Sequence, residues 1–506
     1  MNENLYSILS TGFPSDGEAP FLILPDGTEH SYHKLEQETA RYANLLISCG
    51  LKQGDRIAAQ VDKSPAALYL YLGCVRAGLA YVPISPEYQS EDVAYFLSNA
   101  QASVFVCRPN FLETAKSLAS ASGVKVVFDL GMEDSGSLAA AAAQQRDTFA
   151  TTQCAAGDLA AIMYTSGTTG RSKGAMLSHG NLSSNALVLH AYWGFRRGDV
   201  LLHMLPIYHT HGLFVATHCA LLNGSPLLFE PRFNPKRALL LMKQATVLMG
   251  VPPNYVALLQ EPDLNLDTCR HMRLFISGSA PLLPTTFEEF QRRTGHTILE
   301  RYGMTEGGML VSNPWEGTRR CATVGLPLPG TLARVVDGRG CPVAMGEVGH
   351  IQVKGPNLFS GYWRMPEKTR DEFTPDVFFK TGDVGRLDAD GYLTIVGRFK
   401  DLITLGEQEI YPKEIESAID ILPGVVESAV IGLPDLENGT KVVAVVVRQP
   451  KSPSPSEKEI ALALRGSFAD FKIPKAVYFV DQLPRNGMGK VQKNLLRERQ
   501  WGSEGH

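Results

Sequence analysis

Residues 164–174, Tyr-Thr-Ser-Gly-Thr-Thr-Gly-Arg-Ser-Lys-Gly, gather hydroxyls, glycines and two cations into one short segment. An apolar run at 159–163 precedes it and reads as a buried strand. Ser178-His179-Gly180-Asn181-Leu182 follows and reads as the start of a helix. Glycines let a backbone approach an anion and turn several N–H groups toward it. The hydroxyls of Thr165, Ser166, Thr168 and Thr169 add donors, and Lys173 adds charge. A strand, a Gly/Ser/Thr turn and a helix together make a cradle for a polyphosphate. The register is not Gly-x4-Gly-Lys-[Ser/Thr], and no Gly-x-Gly-x-x-Gly follows the strand, so two common nucleotide fingerprints are missing. The plain alternative for such a segment is a solvated surface loop.

Five other islands carry residues suited to chemistry. They are Ser-Gly-Ser-Ala-Pro at 277–281, Glu-Arg-Tyr-Gly-Met-Thr-Glu at 300–306 and Lys-Thr-Gly-Asp at 380–383. Gly-Arg-Phe-Lys-Asp stands at 397–401 and Pro-Arg-Asn-Gly-Met-Gly-Lys at 484–490. With the first segment, these carboxylates, hydroxyls, aromatic rings and cations are spread from 164 to 490, so only a large fold could bring them together.

The elements that must do so alternate. Strand-like runs at 21–24, 56–60, 103–107 and 124–128 are interleaved with helical spacing at 32–49 and 66–77. Runs at 247–251 and 274–278 look like parallel strands feeding Gly/Pro turns. This alternation predicts doubly wound α/β layers, in which ligands collect at the carboxyl ends of strands. Residues 323–397 change to short strands broken by Gly and Pro, a small antiparallel β unit. Beyond 398 a helix at 412–421, strands at 425–431, 441–447 and 477–480, and a capping box at Ser456/Glu459 make a compact α+β tail. The expected architecture is a large N-terminal α/β domain at 1–397 with its β unit, and a small mobile α+β C-terminal domain at 398–506.

Composition agrees with a globular chain. Of 506 residues 44% are hydrophobic and 20% charged, and the net charge of −4 with no basic stripe argues against a nucleic-acid partner. The eight cysteines form no CxxC pair, which fits reduced thiols. No apolar run reaches the ~20 residues of a membrane span, and the N-terminus lacks the pattern of a signal peptide, so a cytoplasmic enzyme is expected. The oligomeric state is not legible.

In this order the six islands resemble those of the adenylate-forming acyl-CoA synthetases, and the likeness covers nearly the whole chain. Phrases such as LPIYHTHGLFVA, LFISGSAPLL, ERYGMTE, GYWRMPEKT and LPRNGMGKVQK look typical of the malonyl-CoA synthetases. The resemblance implies two half-reactions. A carboxylate attacks the α-phosphate of ATP, giving an acyl-adenylate and pyrophosphate. The thiol of coenzyme A then displaces AMP. It assigns the phosphates to Thr165, Ser166, Gly167, Thr168, Thr169 and Lys173, with Thr305 on the α-phosphate and Glu306 on Mg²⁺. It assigns adenine and ribose to Gly278, Ser279, Ala280, Pro281, Glu300, Tyr302, Gly303, Met304, Asp383 and Arg398. Lys490 would bridge the carboxylate and the α-phosphate, and Lys400 would mark the hinge on which the small domain swings.

His209 is expected at the wall of the acyl pocket, and His211 is read as structural. Zinc is a poor reading for His203, His209, His211 and His218, since no Cys or carboxylate completes a ligand set. A second substrate carboxylate needs a cation, and Arg301 is the leading candidate. The chain departs from the malonate group at Ala257, where an Arg is typical, at 307–310 (Gly-Gly-Met-Leu), and at 405–409. Arg232 or Arg273 could compensate. Three alternatives stay open: a ligase for a short or medium monocarboxylic acid, a free-standing enzyme loading a carrier protein, and a nucleotide-binding regulator.

Overall fold

Serine caps start several of the helices. Ser31 accepts from Lys34 N ahead of helix Tyr32–Ser48, and Ser64 from Ala67 N ahead of Pro65–Arg76, which has proline in its first turn. Ser178 and Asn181 form a reciprocal box at the start of His179–Tyr192, and Ser456 and Glu459 do the same for Glu457–Arg465. The computed structural model describes residues 2–133, 135–165, 172–405, 408–435, 439–449, 453, 455–486, 489–499 and 501.

Strands Ala80–Pro83, Val104–Cys107, Val247–Gly250 and Leu274–Ser277 are buried at every position. Such runs belong to parallel sheets covered on both faces, and two sheets of this kind form the large domain. In one, Val126–Asp129, Val104–Cys107, Arg56–Gln60, Ala80–Pro83 and Leu159–Tyr164 lie side by side in parallel. In the other, Leu299–Met304, Leu274–Ser277, Val247–Gly250, Leu201–His203, Leu227–Phe229 and Pro20–Ile23 do so. The expected antiparallel unit is present as Leu332–Val336, Gly349–Lys354, Phe379–Leu387 and Leu393–Arg398. The C-terminal α+β domain contains strands Val425–Asp435, Gly439–Arg448 and Ala476–Val480, with helices Pro412–Asp420 and Glu457–Arg465. Its two apolar clusters draw only on residues from Ile403 onward.

One expectation needs correction. The Gly/Ser/Thr segment does not run from strand to helix. Gly174–Ser178 is itself a strand, antiparallel to Leu159–Tyr164, with Tyr164 opposite Gly174. The strands on either side of the segment are therefore the two arms of a hairpin. Burial of Gly174, Ala175, Leu177 and Ser178 explains the pairing, and the capping serine at 178 marks where strand gives way to helix.

Candidate active site

The hairpin is closed by Thr165 N donating to Lys173 O at 2.9 Å, and Tyr95 OH donates to Ser172 O at 2.9 Å. Ser166, Gly167, Thr168 and Thr169 lie outside the described residues. Thr165 Oγ1 is buried and has no hydrogen-bond partner among the described residues. Residues 360–363 run beside Gly174–Ser178, with Ser360 N on Met176 O, Met176 N on Gly361 O and Trp363 N on Gly174 O. That third edge brings Tyr362 beside Lys173. Lys173 Nζ stands 4.2 Å from the Tyr362 ring centroid and 3.6 Å from Glu372 Oε1. Tyr362 OH donates to Glu306 Oε1 at 2.8 Å. Burial raises the Glu306 carboxyl above its ordinary value, while Tyr362, Lys173 and Arg398 pull it back.

Glu306 sits in the turn between Leu299–Met304 and Gly308–Ser312, beside half-buried Thr305. The turn is fixed from outside. Asn185 donates to Met309 O at 2.8 Å and accepts from Met309 N at 3.1 Å, and Asn357 donates to Gly307 O at 2.5 Å. Gly308 has φ +59, and a Cβ there would lie 2.5 Å from Asn185 Oδ1. Met309 and Leu310 join the main apolar core. The run at 307–310 thus answers to turn geometry and packing.

Leu299–Met304 ends beside the antiparallel unit. Tyr302 OH donates to Asp383 Oδ2 at 2.5 Å, and Arg398 Nε meets Asp383 Oδ1 at 2.9 Å. Asp383 is buried, so the ion pair and the hydroxyl fix its carboxylate. Glu300 is buried too, and Leu282 N donates to its Oε1 at 3.2 Å. Burial pushes its carboxyl up to about 8, so it is largely protonated at neutral pH.

The Lys490 loop reaches the same place. A Cβ on Gly489 would lie 2.8 Å from Pro253 Cγ of the large domain. Lys490 N donates to Asn486 Oδ1 at 3.0 Å; Gly487 and Met488 lie outside the described residues. Burial first, then the charges of Arg398 and Lys400, lower the Lys490 ammonium to about 8 against the pull of Asp383 and Asp401. Three cations, Arg398, Lys400 and Lys490, therefore converge beside Asp383. Lys400 is exposed in the turn Phe399–Asp401.

A second group of polar residues lies at the ends of Leu274–Ser277 and Leu299–Met304. Gly278 leaves room for Arg301: a Cβ there would lie 2.4 Å from the guanidinium carbon. Ser279 takes φ +71, and together with Ala280 it is half-buried, while Pro281 is exposed. Arg301 is 3% exposed, and its Nε and Nη2 have no partner among the described residues. Burial lowers it to about 9. His209 is half-buried against Tyr208, its ring held to about 4 by burial.

The four histidines do not assemble as ligands. Among the described residues no group of three or more His, Cys, Asp or Glu could hold a metal. His218 Nε2 meets Tyr71 OH at 2.7 Å, and His203 lies between Lys63 Nζ at 2.9 Å and Gly212 O at 3.0 Å. Arg273 does not compensate for Ala257. It is engaged by both oxygens of Asp199 beneath the Trp315 ring, 4.8 Å away. Arg232 is exposed, and Ala257 is half-buried in Pro252–Leu259.

Sequence reasoning missed Tyr362, Glu372, Ser277 as a buried polar group, and the lack of ring partners for His211 among the described residues. Tyr362 had a signal in the phrase GYWRMPEKT. Glu372 had none, because its helix, Pro366–Glu372, reads as a charged surface helix.

Family models match over most of the chain: AMP-binding enzyme at residues 13–363, and AMP-binding enzyme C-terminal domain at 414–490. The chain is similar to a malonate–CoA ligase of Arabidopsis thaliana, 32% identical over 94% of this chain and 85% of that one. It is also similar to a feruloyl-CoA synthase of an Amycolatopsis species, 34% identical over 94% of each. Among solved structures, ATP-bound MatB from Rhodopseudomonas palustris is 52% identical over 98% of this chain and 99% of that one, with a TM-score of 0.96. The apo form of that protein gives 0.86 over the same coverage. Among the described residues no helix is long and apolar enough to cross a membrane. With a hairpin-borne lysine, a buried turn glutamate and a carboxyl-terminal lysine gathered on one site, the chain belongs to the AMP-binding enzyme family and is an ATP-dependent, AMP-forming acyl-CoA ligase.

Proposed function

We propose that the acid activated is malonate or methylmalonate. The observation that carries this is Arg301. A cation 3% exposed, with two guanidinium donors unpartnered among the described residues, costs several kcal/mol unless an anion meets it. The carboxylate that attacks ATP is spent at Lys490. A second carboxylate on a short acid is the simplest partner for Arg301, held by two parallel N–H bonds. The Arabidopsis malonate–CoA ligase among the relatives supports the same substrate.

In this reading two anions are brought together by positive charge and positioning. Thr165 to Thr169 and Lys173 hold the β- and γ-phosphates, and Thr305 donates to the α-phosphate. Tyr302, Gly303, Met304, Glu300 and Gly278 to Pro281 frame the adenine. Asp383, oriented by Arg398, keeps lone pairs for the ribose hydroxyls beyond its two partners. Lys490 bridges the attacking carboxylate and the α-phosphate, and His209 walls the acyl pocket. Mg²⁺ suits this donor set, because Glu306 offers a buried carboxylate with one oxygen left by Tyr362 and the phosphates supply the rest. When bound, the ion neutralises phosphate charge. The domains divide at 397/398, and the small domain pivots at 398–401 to admit coenzyme A.

AMP release with acetate, propionate, malonate, methylmalonate and octanoate tests the assignment. Malonate-dependent, coenzyme A-dependent AMP is expected, and Arg301→Ala should lower it roughly 10²-fold or more. AMP with octanoate and none with malonate would move the assignment to a monocarboxylic acid. Ala257 favours that second reading, as does the likeness to a feruloyl-CoA synthase and long-chain-fatty-acid–CoA ligases.

A further inference from the structure

His211 begins a stretch of π-helix, His211–Ala216, before helix Thr217–Asn223. Single π turns are rare and recur at functional sites. This one is built with care. Gly212 O accepts from His203 Nε2 at 3.0 Å and from Thr217 Oγ1 at 3.0 Å, and a Cβ on Gly212 would lie 2.1 Å from Pro206 O. His203 must donate from Nε2 to that carbonyl, so its Nδ1 accepts from Lys63 Nζ at 2.9 Å. The chain Lys63–His203–Gly212 thereby fixes the backbone on which His211 stands. His203 and His218 both have ring partners. His211 is 2% exposed, and neither of its ring nitrogens has a partner among the described residues.

A buried imidazole with two idle nitrogens is an expense that packing does not explain. Its surroundings do. The π-helical stretch packs against strand Gly308–Ser312, whose partner strand Leu299–Met304 sets Arg301 opposite Ser312. Burial first, then the neighbouring Arg301, His203 and His209, hold the ring neutral. A neutral ring keeps one N–H donor and carries no charge against the neighbouring guanidinium. Ser277 Oγ, at the end of strand Leu274–Ser277 and next to the Gly278 that makes room for Arg301, is likewise fully buried and unpartnered among the described residues. Ser277 lies opposite Glu300, the residue before Arg301, so Arg301, His211 and Ser277 bring polar atoms unpartnered among the described residues to one region of the large domain.

We infer that His211 is a specificity-determining residue of the acid pocket, donating a hydrogen bond to the substrate carboxylate that Arg301 neutralises. This rests on the diacid reading above. A site built to hydrogen-bond a substrate group rejects the analogue lacking it, because its own polar atoms then stay unpaired. Propionate is that analogue of malonate, with the same carbon count and no second carboxylate.

The test is steady-state AMP formation with malonate and with propionate, for the wild type and for His211→Ala, His211→Phe and His211→Gln. The phenylalanine keeps ring volume without nitrogens, and the glutamine restores a neutral donor. KM for malonate should rise about tenfold or more in the alanine and phenylalanine variants. KM for ATP and kcat/KM for propionate should change less than about twofold, and glutamine should recover part of the malonate affinity. Equal losses for both acids, or an unchanged malonate KM in a variant that still binds ATP, would overturn the role of His211 alone. A wild type that does not prefer malonate to propionate would overturn the diacid reading itself.

Discussion

Arg497 donates from Nη2 to Asp401 Oδ1 at 2.7 Å. Three residues earlier in the chain, Arg398 is paired with Asp383 of the antiparallel unit. Phe399 and Lys400 therefore lie between two ion pairs, one to the large domain and one to helix Lys493–Glu498, which follows the Lys490 loop. Lys493 pairs with Glu416 at 2.6 Å and Arg485 with Glu427, so the loop is tied to the C-terminal domain on both sides. The Asp401–Arg497 pair is a third exposed on its arginine side, so its effect on stability should be under about 1 kcal/mol. Its effect on the position of Lys490 should be larger. Arg497→Gln and Asp401→Asn should each slow malonate-dependent ATP–pyrophosphate exchange severalfold, with the double variant no worse than either. Additive losses in that cycle would show that the two residues act separately.

Tyr362→Phe removes the hydroxyl from Glu306 Oε1 and leaves the ring under Lys173. The buried carboxylate loses a donor worth roughly 1.5–3 kcal/mol. The Mg²⁺ concentration for half-maximal adenylation should rise about tenfold, with KM for the acid little changed. Titration of Mg²⁺ at saturating ATP and acid measures it. An unchanged requirement would mean that the bond to Tyr362 does not tune Glu306.

Gly308→Ala forces a side chain to φ +59 and against Asn185 Oδ1, an atom already bonded to Met309 N. The left-handed backbone costs about 1 kcal/mol for a residue with a Cβ, and displacing Asn185 adds to it. A Tm drop of a few degrees is expected. A tenfold or greater fall in adenylation should accompany it, because the same turn carries Thr305 and Glu306. Calorimetry and pyrophosphate release read the two effects.

Lys490 carries the pH dependence. Burial and then Arg398 hold its ammonium at about 8, so the charged form persists below that value and is lost as pH rises through it. kcat/KM for adenylation should fall about tenfold per pH unit above about 8, reporting the free enzyme. Bound anions favour the ammonium, so the same limb in kcat should lie higher. Glu300 titrates in the same range, and Glu300→Gln should leave the limb in place. Lys490→Ala should stop adenylation and spare thioester formation from supplied acyl-adenylate. Equal loss in both steps would contradict a lysine used only in the first.

Much of the fold could be read in one dimension. Uninterrupted apolar runs such as Val104–Cys107 and 274–276 announce buried parallel strands, and serine caps announce helices. The strand Gly174–Ser178 escaped notice because five residues between a Gly-rich loop and a helix cap carry little periodicity. Its pairing is set by neighbours, Leu159–Tyr164 on one side and residues 360–363 on the other.

The same division runs through the site. Sequence alone determined which residue types are present and in what order: a hydroxyl-rich loop with its lysine, a glutamate after Thr305, an aspartate after Thr-Gly, and a lysine among glycines near the carboxyl end. Those patterns are local, because loop chemistry is written in adjacent residues. Only the tertiary structure decided that Tyr362 stands between Lys173 and Glu306, that Asp199 holds Arg273, and that Arg301 and His211 lie buried with polar atoms unpartnered among the described residues. Burial and partnership depend on groups more than 50 residues apart in the chain, and no spacing rule encodes which of two arginines, 273 or 301, finds a carboxylate within the protein and which has guanidinium nitrogens unpartnered among the described residues.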